Sequence, residues 1–333
     1  MSFQRYDGVF LSCLKRYLPG RRITNDDLVQ WMGKNIRGSW IEKRTGIRER
    51  YWVHENESCR DLAVRVGKSV LDGAVDLDLA YLILATISGD FITPPTAPFV
   101  QHDLCLDGVG AFDIGAACSG FVTGLHIASS LGKNVLLISS EVRSKFLNPE
   151  DFATACLFGD GAAACVVGRS VFGKGFRVLA SQLFSDGSVG DVISIPSGGS
   201  LRPAAEETDR SRFYLKMKDG AELFLKAVEG MAEAGLHFLR NCGMSREDLA
   251  FLVPHQANGF LIEALGDRME IPQHKVVKTI AYTGNTSGAT VGIALSYLLD
   301  GDHLKKGDKI LLLAAGGGGI AACALLEYAG CEA

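Results

Sequence analysis

One cysteine in this chain of 333 residues stands where a thiol could act as a nucleophile. Cys118 lies in residues 112–121 (FDIGAACSGF), where an apolar strand pattern stops, small residues surround the thiol and a helix pattern begins. Backbone N–H groups at a helix start favour negative charge, so we expect them to lower the pKa of this thiol and raise its thiolate fraction. The small neighbours would let an acyl chain approach the sulfur closely. We therefore interpret Cys118 as a reactive thiol.

Two later segments contain polar side chains that could complete a reactive site. Residues 253–258 (VPHQAN) end a strand and open a helix, and His255 at such an edge would point into a crevice. Residues 282–288 (YTGNTSG) form a turn rich in side-chain donors, among them Asn285. Each also has a structural explanation, because a lone histidine is more often a capping or core residue and the turn would cap the helix that follows. Both interpretations stay open on these residues alone.

Four glycines at residues 316–319 follow an apolar strand pattern and could bring backbone N–H groups close to a ligand. A tight turn or close backbone packing explains them equally well. A loop that cradles phosphate is not favoured, because no Lys-Ser or Lys-Thr pair follows the glycines.

The elements that would position these residues alternate between strand and helix. Continuous apolar runs, as expected of strands buried on both faces, occupy residues 79–87, 134–140 and 162–168. We further predict helices at 119–131, 220–240, 257–269 and 289–299, and strands at 249–254 and 309–315. Each half ends in a Gly-rich apolar strand, which indicates a duplicated α/β unit with layered sheets and helices. The polar stretch 185–208 would lie near the join of the halves or form a lid.

The bulk composition limits the class of protein. The 34 basic and 38 acidic residues give no basic field, so we do not expect nucleic acid as a partner. Nine cysteines, an odd number without a Cys-x-x-Cys pair, indicate reduced core residues rather than disulfides or a zinc site. Residues 1–10 lack the apolar region of a signal peptide, and no apolar run reaches the roughly 20 residues needed to span a bilayer. We expect a cytoplasmic protein that does not act at a membrane.

Several motifs, in order along the chain, resemble those of one family. Residues 40–48 (WIEKRTGIR) resemble its Trp-x-x-x-Arg-Thr-Gly-Ile segment, residues 116–121 (AACSGF) its nucleophile segment and residues 157–162 (LFGDGA) its strand-edge motif. The segments around His255 and Asn285 and the terminal glycines complete the set. Together they resemble the thiolase-fold condensing enzymes, and within these the β-ketoacyl-acyl-carrier-protein synthases III, along nearly the whole chain.

This resemblance implies a fold and a division of the chain. The fold would be α/β, a duplicated thiolase fold with five layers in the order α-β-α-β-α, and the enzyme would usually be a homodimer. The N-terminal half, residues 1–171, would carry the nucleophile Cys118. The C-terminal half, residues 172–333, would carry His255 and Asn285.

The resemblance also implies a reaction. Cys118 would take an acyl group from acyl-CoA, with the backbone N–H groups of Cys118 and Gly317 as the oxyanion hole. His255 and Asn285 would bind the thioester carbonyl of a malonyl group, supplied on an acyl carrier protein, and stabilise the enolate that forms on decarboxylation. The carbanion would then attack the acyl-Cys118 carbonyl and form a carbon–carbon bond. No metal or redox cofactor is expected.

The resemblance assigns the donor side residue by residue. Trp40 would stack on the adenine of CoA, Arg44 and Thr45 would contact the nucleotide, and Asn258 would hydrogen-bond the phosphopantetheine arm. Phe152 stands where many family members have an arginine that sandwiches the adenine with the tryptophan, and it could still stack.

Three further positions depart from the family pattern. Leu225 and Phe260 replace residues that are usually basic where the carrier protein docks, and Lys226 is the neighbour of the first. Thr93 stands where a bulky aromatic residue usually bounds the acyl pocket at the dimer interface, which predicts a roomier tunnel. These changes favour a homologue from specialised metabolism, which would condense unusual acyl groups or transfer them to oxygen, nitrogen or a polyketide acceptor.

Three alternatives stay open at this point. A papain-like cysteine protease has Cys, His and Asn in the same order, and His255 follows Cys118 by 137 residues, but its local cysteine signature is absent. The second alternative is another thiolase-fold chemistry, that of a degradative thiolase, a hydroxymethylglutaryl-CoA synthase or a chalcone-synthase-like polyketide enzyme. A degradative thiolase needs a second catalytic cysteine; Cys323 is the candidate, but it falls within the last strand pattern. The third alternative, a non-catalytic scaffold that binds a carrier protein, is disfavoured by the intact Cys118, His255 and Asn285.

Overall fold

A computed structural model describes residues 2–73, 77–218 and 220–332. Its strands are β1 (Gln4–Arg5), β2 (Phe10–Tyr17), β3 (Arg21–Thr24), β4 (Glu49–Trp52), β5 (Leu79–Ala85), β6 (Gly110–Ile114), β7 (Asn134–Glu141), β8 (Gly161–Gly168), β9 (Gly173–Ser185), β10 (Ile193–Ser194), β11 (Lys216–Met217), β12 (Phe251–Pro254), β13 (Lys309–Gly316) and β14 (Ile320–Glu332). Its α-helices are α1 (Asn25–Trp31), α2 (Gly38–Thr45), α3 (Cys59–Leu71), α4 (Ala97–Asp103), α5 (Gly120–Ser130), α6 (Phe152–Ala155), α7 (Gly220–Cys242), α8 (Gly259–Arg268), α9 (Ile280–Thr283) and α10 (Thr290–Asp300).

Two groups of strands repeat one pairing pattern. In the first group β2, β8, β7, β5 and β6 lie side by side, with the first two pairings antiparallel and the last two parallel. In the second group β9, β14, β13 and β12 follow with the same orientations, and Leu252 forms a parallel bridge to Val276 where a fifth strand would lie. The antiparallel pairing of β2 with β9 joins the groups into one sheet. The prediction of a duplicated α/β unit is therefore confirmed.

Helices α5 and α10 lie between the two groups of strands. Helix α5 contacts β5, β7 and β8 on one side and β9, β13 and β14 on the other, and α10 likewise contacts both groups. Nine of the eleven residues of each helix are buried, as expected of a helix that is covered all round. A Cβ at Gly292 of α10 would lie 2.6 Å from atoms of both Ala163 and Phe121, so this close packing requires glycine.

The outer faces of the two groups are covered by different helices. Helices α3 and α4 pack on the first group, and α7, with α8 against it, packs on the second. One apolar core surrounds the central helices, and each outer face has an apolar core of its own. The order α3/α4, first group, α5/α10, second group, α7/α8 gives five layers and confirms the predicted α-β-α-β-α architecture.

The two central helices begin in the same strained way. Helix α5 follows a 3₁₀ turn, Ala117–Ser119, and α10 follows another, Ser287–Ala289. The backbone is left-handed at Ala117, with φ of 45°, and at Ser287, with φ of 51°. An L-residue in this region typically costs about 1–3 kcal/mol. The same strained backbone therefore occurs in both 3₁₀ turns, where the two halves meet. These two turns position residues of the candidate site.

The sequence patterns located the elements well. The three buried strands predicted in the first half correspond to β5, β7 and β8, and the predicted helices correspond to α5, α7, α8 and α10. The division of the chain at residues 171 and 172 stays a prediction; it would fall in the connection between β8 and β9. Among the residues that the structure describes, no helix is long and apolar enough to cross a membrane.

Candidate active site

Cys118 lies in the 3₁₀ turn between β6 and α5 and is buried. Its Sγ atom is 3.8 Å from Oγ of Ser287, and the Gly317 amide donates a hydrogen bond to the thiol. A Cβ at Gly316 would lie only 2.6 Å from the Cys118 nitrogen. The end of β13 therefore needs glycine to approach the thiol, and the glycine run forms both the turn into β14 and the wall of the site.

Burial controls the ionisation of the Cys118 thiol. Removal from water raises the pKa of Cys118 to about 11. The hydrogen bonds from Ser287 and Gly317 and the charge of Arg143 act in the opposite direction but do not outweigh burial, and the charge of Glu141 raises the pKa further. The prediction of a lowered pKa at the helix start is wrong. Cys118 is a thiol at neutral pH, so its reaction requires a proton acceptor.

His255 lies just beyond the end of β12, where its amide bonds to the carbonyl of Leu313. Its Nδ1 atom is 2.6 Å from Oγ1 of Thr290, at the start of α10. Burial lowers the pKa of His255 to about 3, so the imidazole is neutral at physiological pH. A neutral imidazole has one donor and one acceptor nitrogen, and Nε2 is the atom left for a ligand.

Asn285 is held in the turn before α10. Its Oδ1 atom accepts a hydrogen bond of 2.9 Å from the Ser287 amide, at the start of the 3₁₀ turn. The side-chain nitrogen is 3.5 Å from the Ala257 carbonyl, at the limit of a hydrogen bond, so its donors remain available. The expected N-cap of the following helix is not formed, because neither this 3₁₀ turn nor α10 has a side-chain capping bond; the bond from the Ser287 amide instead fixes the orientation of the Asn285 side chain.

Cys118, His255 and Asn285 line one cavity of about 1440 Å³, together with Asn258 and Gly317. The loop between β9 and β11 covers this cavity with Val189, Val192 and Ile193, which agrees with the expectation that residues 185–208 lie at the join or form a lid.

A smaller cavity of about 230 Å³ also reaches Cys118. Its wall is largely apolar and includes Ile87, Phe158, Ile193, Ile195 and Leu215. Thr93 is not among the residues that line either cavity; it is exposed on the loop before α4. Its contact with an acyl chain at a dimer interface stays a prediction.

Arg143 is an unexpected charged residue in the wall of this smaller cavity. Its side chain is almost completely buried, and its Nε and Nη1 atoms have no hydrogen-bond partner in the structure. The rings of Phe146 and Phe158 lie 5.5 and 5.9 Å from the guanidinium carbon. A buried, unpaired guanidinium is costly, which indicates that it has a function.

Glu141 is a second buried charged group beside the thiol. Its Oε2 atom accepts a hydrogen bond of 2.6 Å from Ser88, and its Oε1 atom is 3.4 Å from Oγ of Ser287. Burial raises the pKa of Glu141 to about 7. The sequence analysis missed Glu141 and Arg143. Their signal was two charged residues in SEVR directly after the apolar run of β7.

The donor-side residues cluster around α2. The Arg44 guanidinium lies 3.6 Å over the ring of Trp40, and Phe152 meets that ring edge to face with centroids 4.5 Å apart. Trp40 and Phe152 are therefore in contact, and an adenine could lie between them only after Phe152 moves. Asn258 caps α8 through its Oδ1 atom and faces the larger cavity.

Thr45 does not offer a free hydroxyl to a nucleotide. It is buried, its Oγ1 atom donates to the Ile41 carbonyl and it accepts from the Ile47 amide. The structure thus gives the hydroxyl a role at the end of α2, in place of the expected ligand contact.

Two other candidates have structural roles. Cys323 is fully buried in the core beneath α7, burial raises its pKa, and it lines neither cavity. A thiolase with a second catalytic cysteine there is therefore excluded. In the described ranges, no group of three or more His, Cys, Asp or Glu side chains is arranged to hold a metal ion.

A duplicated five-layered α/β fold with a buried Cys, His and Asn around one cavity defines the class of thiolase-fold condensing enzymes. Family models described as 3-oxoacyl-[acyl-carrier-protein] synthase III match residues 112–187, and as its C-terminal part residues 239–328. The chain belongs to the β-ketoacyl-acyl-carrier-protein synthase III family, and it is an acyltransferase. Membership of this family excludes the papain-like cysteine protease considered from the sequence. Enzymes of this family need no cofactor besides their thioester substrates.

Individual relatives are similar over nearly their whole length. The chain is 40% identical to a 3-oxopimeloyl-[acyl-carrier-protein] synthase from Rhodothermus marinus, over 93% of this chain and 91% of the relative. It is also 40% identical to a β-ketoacyl-[acyl-carrier-protein] synthase III from Caldanaerobacter subterraneus subsp. tengcongensis, over 91% and 92%. The crystal structure of 3-oxoacyl-(acyl carrier protein) synthase III from Pseudomonas aeruginosa PAO1 superposes with a TM-score of 0.86 at 32% identity, covering 98% of this chain and 99% of that one.

Proposed function

We propose that this protein joins an acyl group from acyl-CoA to a malonyl group on an acyl carrier protein by decarboxylative condensation, with Cys118, His255 and Asn285 as the reacting site. The observation that carries the proposal is that these three side chains line one cavity. The thiol is accessible from this cavity and also from the smaller one beside it. A thioester can therefore approach on one side while its acyl chain occupies the other.

The first half-reaction transfers the acyl group. The Cys118 sulfur attacks the thioester carbonyl, and the amides of Cys118 and Gly317 stabilise the negative oxygen. The carbon–sulfur bond to CoA breaks, and CoA leaves as a thiol after taking up a proton. The acyl-Cys118 intermediate then waits for the second substrate, which gives ping-pong kinetics.

The second half-reaction forms the carbon–carbon bond. The malonyl thioester oxygen accepts hydrogen bonds from Nε2 of His255 and the side-chain N–H of Asn285. Loss of CO₂ leaves an enolate, and these two buried, neutral donors stabilise its charge. The enolate carbon attacks the acyl carbonyl, and the sulfur of Cys118 leaves.

Arg143 indicates the kind of acyl group. Its unpaired guanidinium forms part of the wall of the smaller cavity, which also reaches Cys118. A carboxylate at the far end of an acyl chain would pair with this guanidinium and neutralise its charge. We therefore assign a dicarboxylic acyl group, bound to Cys118 by one end and to Arg143 by the other.

The relative from Rhodothermus marinus supports this assignment. It is named for a 3-oxopimeloyl product, a seven-carbon chain with a terminal carboxylate. Condensation adds two carbons from malonyl, so such a product requires a five-carbon dicarboxylic donor, a glutaryl thioester. The other candidate is a neutral acyl group for fatty-acid initiation, which the relatives named β-ketoacyl synthase III favour. Transfer of the acyl group to an oxygen or nitrogen acceptor, in place of condensation, is a third candidate reaction.

A comparison of two thioesters of equal chain length tests the acyl group. Glutaryl-CoA and valeryl-CoA differ only in the terminal carboxylate, and intact mass spectrometry measures how fast each acylates Cys118. We expect glutaryl-CoA to react at least tenfold faster, and Arg143→Met to reverse the preference. Cys118→Ala should show no mass gain with either donor. Faster acylation by valeryl-CoA in the wild-type protein would instead assign a neutral acyl group.

The homodimer, the docking of the carrier protein and the cytoplasmic location are part of the same proposal. Phe91 and Ile92 are exposed apolar side chains on the loop that carries Thr93, and a partner subunit would cover them. Leu225 and Phe260 are also exposed, which supports a less charged docking surface for the carrier protein. Ile92→Asp should convert a dimer into a monomer in sedimentation experiments. An unchanged sedimentation coefficient would place the interface elsewhere.

A further inference from the structure

Glu141 has no task in the reaction described so far. It is fully buried, and among the described residues no lysine, arginine or histidine lies within 4 Å to form an ion pair with it. Ser88, Ile87 and Gly288 donate hydrogen bonds to its carboxylate. A buried carboxylate without a directly contacting cation is costly to maintain, so its position beside the nucleophile needs an explanation.

A chain of three groups connects this carboxylate with the nucleophile. The Ser287 hydroxyl lies 3.8 Å from Cys118 Sγ and 3.4 Å from Glu141 Oε1. A hydroxyl can accept one hydrogen bond and donate another at the same time. Ser287 is held in place by its left-handed backbone and by the bond from its amide to Asn285.

The buried thiol of Cys118 cannot rely on its own ionisation. It must lose a proton when it attacks a thioester, and the neutral His255 is engaged with Thr290 and is needed for the later step. We propose that Ser287 and Glu141 form a proton path that takes the proton of Cys118 during acylation. This proposal rests on the function proposed above.

Two proton transfers accompany the attack of the Cys118 sulfur on the thioester. The thiol proton passes to the Ser287 oxygen while the Ser287 proton passes to Glu141, and the sulfur forms its bond to the acyl carbon. The CoA sulfur leaves with the electron pair of the broken bond, and its proton can come from Glu141 by the reverse path. Ser287 touches the reacting sulfur, whereas Glu141 acts through Ser287.

The groups around Glu141 determine the sign of its effect. The charge of Arg143 lowers the pKa of Glu141, and Ser88 and Ser287 hydrogen-bond to the Glu141 carboxylate. The charge of Glu141 in turn raises the pKa of the Cys118 and Cys59 thiols. Since the charge of Glu141 raises the pKa of Cys118, removing that charge alone would produce more thiolate and faster reaction. A proton path makes the opposite prediction, because its loss slows the reaction.

The test is alkylation of Cys118 by iodoacetamide, followed by peptide mass spectrometry at several pH values. It needs no acyl substrate, so it stays informative even if the proposed function fails. The exposed Cys105 in the same sample is an internal reference. Ser139→Ala is the matched control variant, since this buried hydroxyl has no hydrogen-bond partner and lies beside Gly288.

We expect Glu141→Gln and Ser287→Ala each to slow Cys118 alkylation about tenfold or more near neutral pH, with Cys105 unchanged and Ser139→Ala like the wild type. The wild-type rate should rise as Glu141 ionises around pH 7, whereas the variants should follow hydroxide concentration alone, about tenfold per pH unit. A rate that is unchanged or faster in Glu141→Gln overturns the proposal. If that variant does not fold, as judged by its melting curve, the pH profile of Ser287→Ala decides, because loss of its hydrogen bond to the thiol slows alkylation in any case. A Ser287→Ala rate that still rises around pH 7, as in the wild type, overturns the proposal.

Discussion

The Nδ1 atom of His255 lies 2.6 Å from the Thr290 hydroxyl oxygen, which is itself 3.1 Å from the Ser287 carbonyl. Because the imidazole is neutral, one of its two nitrogens carries the hydrogen. The single hydroxyl hydrogen of Thr290 can go either to the Ser287 carbonyl, which only accepts, or to Nδ1. The proposed reaction requires donation to Nδ1, which leaves the hydrogen of the imidazole on Nε2. That tautomer is the one that can donate to a malonyl oxygen.

The first prediction concerns Thr290. Thr290→Val keeps the shape but removes the donor to Nδ1, so the hydrogen is no longer held on Nε2. We expect decarboxylation of malonyl thioester to fall roughly tenfold, corresponding to about 1–2 kcal/mol for one buried hydrogen bond, with acylation of Cys118 unchanged. Rapid-quench measurements separate the two steps. Thr290→Ser keeps the hydroxyl and should retain most of the rate; equal losses in both variants would point to packing.

The second prediction is a pH dependence of stability. His255 binds no proton in the folded protein until about pH 3, whereas in the unfolded chain it does so near pH 6.5. The depressed pKa therefore contributes stability above pH 6.5 that is lost as the pH falls. Between pH 6.5 and 5 this loss is about 2 kcal/mol. Protonation of Glu141, whose pKa burial raises to about 7, acts in the opposite direction over this range and is present in both proteins. Urea unfolding should therefore show the His255 contribution as the difference in slope between the wild type and His255→Gln, with the variant losing less stability as the pH falls. His102→Gln, at an exposed histidine, should behave like the wild type.

The third prediction is that Arg143 lowers stability. The buried guanidinium has two nitrogens without partners, so an apolar residue of similar length avoids a desolvation cost. We expect Arg143→Met to raise the free energy of unfolding by about 1–4 kcal/mol, opposite to most core substitutions. Chemical denaturation of the wild type and the variant, both without ligand, measures this difference in the free energy of unfolding. A loss of stability would mean that Arg143 already has a structural partner.

The fourth prediction concerns the glycine wall. Gly316→Ala places a Cβ 2.6 Å from the backbone nitrogen of Cys118, so either the strand or the catalytic turn must move. We expect a destabilisation of about 1–3 kcal/mol and a loss of acyl-enzyme formation. Gly187→Ala, on the loop over the cavity with no atom near its added Cβ, is the control and should retain both properties.

The fold was predictable because its signals are local. The apolar runs of β5, β7 and β8 and the small-residue helix α5 are each visible within a short window. The repeat of strand pairing follows from two similar halves. By contrast, the paired strain at Ala117 and Ser287 depends on contacts between the halves and leaves no local pattern.

The ionisation of the site could not be predicted, since it depends on residues far apart in the chain. Ile193 and Leu215 close over Cys118 from a distant loop, and this burial reverses the expected effect of the helix start. Arg143 was overlooked because a charged residue after a strand usually faces water. The contact between Trp40 and Phe152 likewise could not be predicted, because the two residues are far apart in the chain.

The central claim is that Cys118 carries the acyl group while His255 and Asn285 serve the second step. It is tested most directly by intact mass spectrometry of protein acylated with glutaryl-CoA and then mixed with malonyl-acyl-carrier-protein. In the wild type the added mass should disappear as the condensed product forms. In His255→Ala and Asn285→Ala it should form normally and then persist. An acyl group that leaves these variants as fast as the wild type, or that still attaches to Cys118→Ala, would contradict the account.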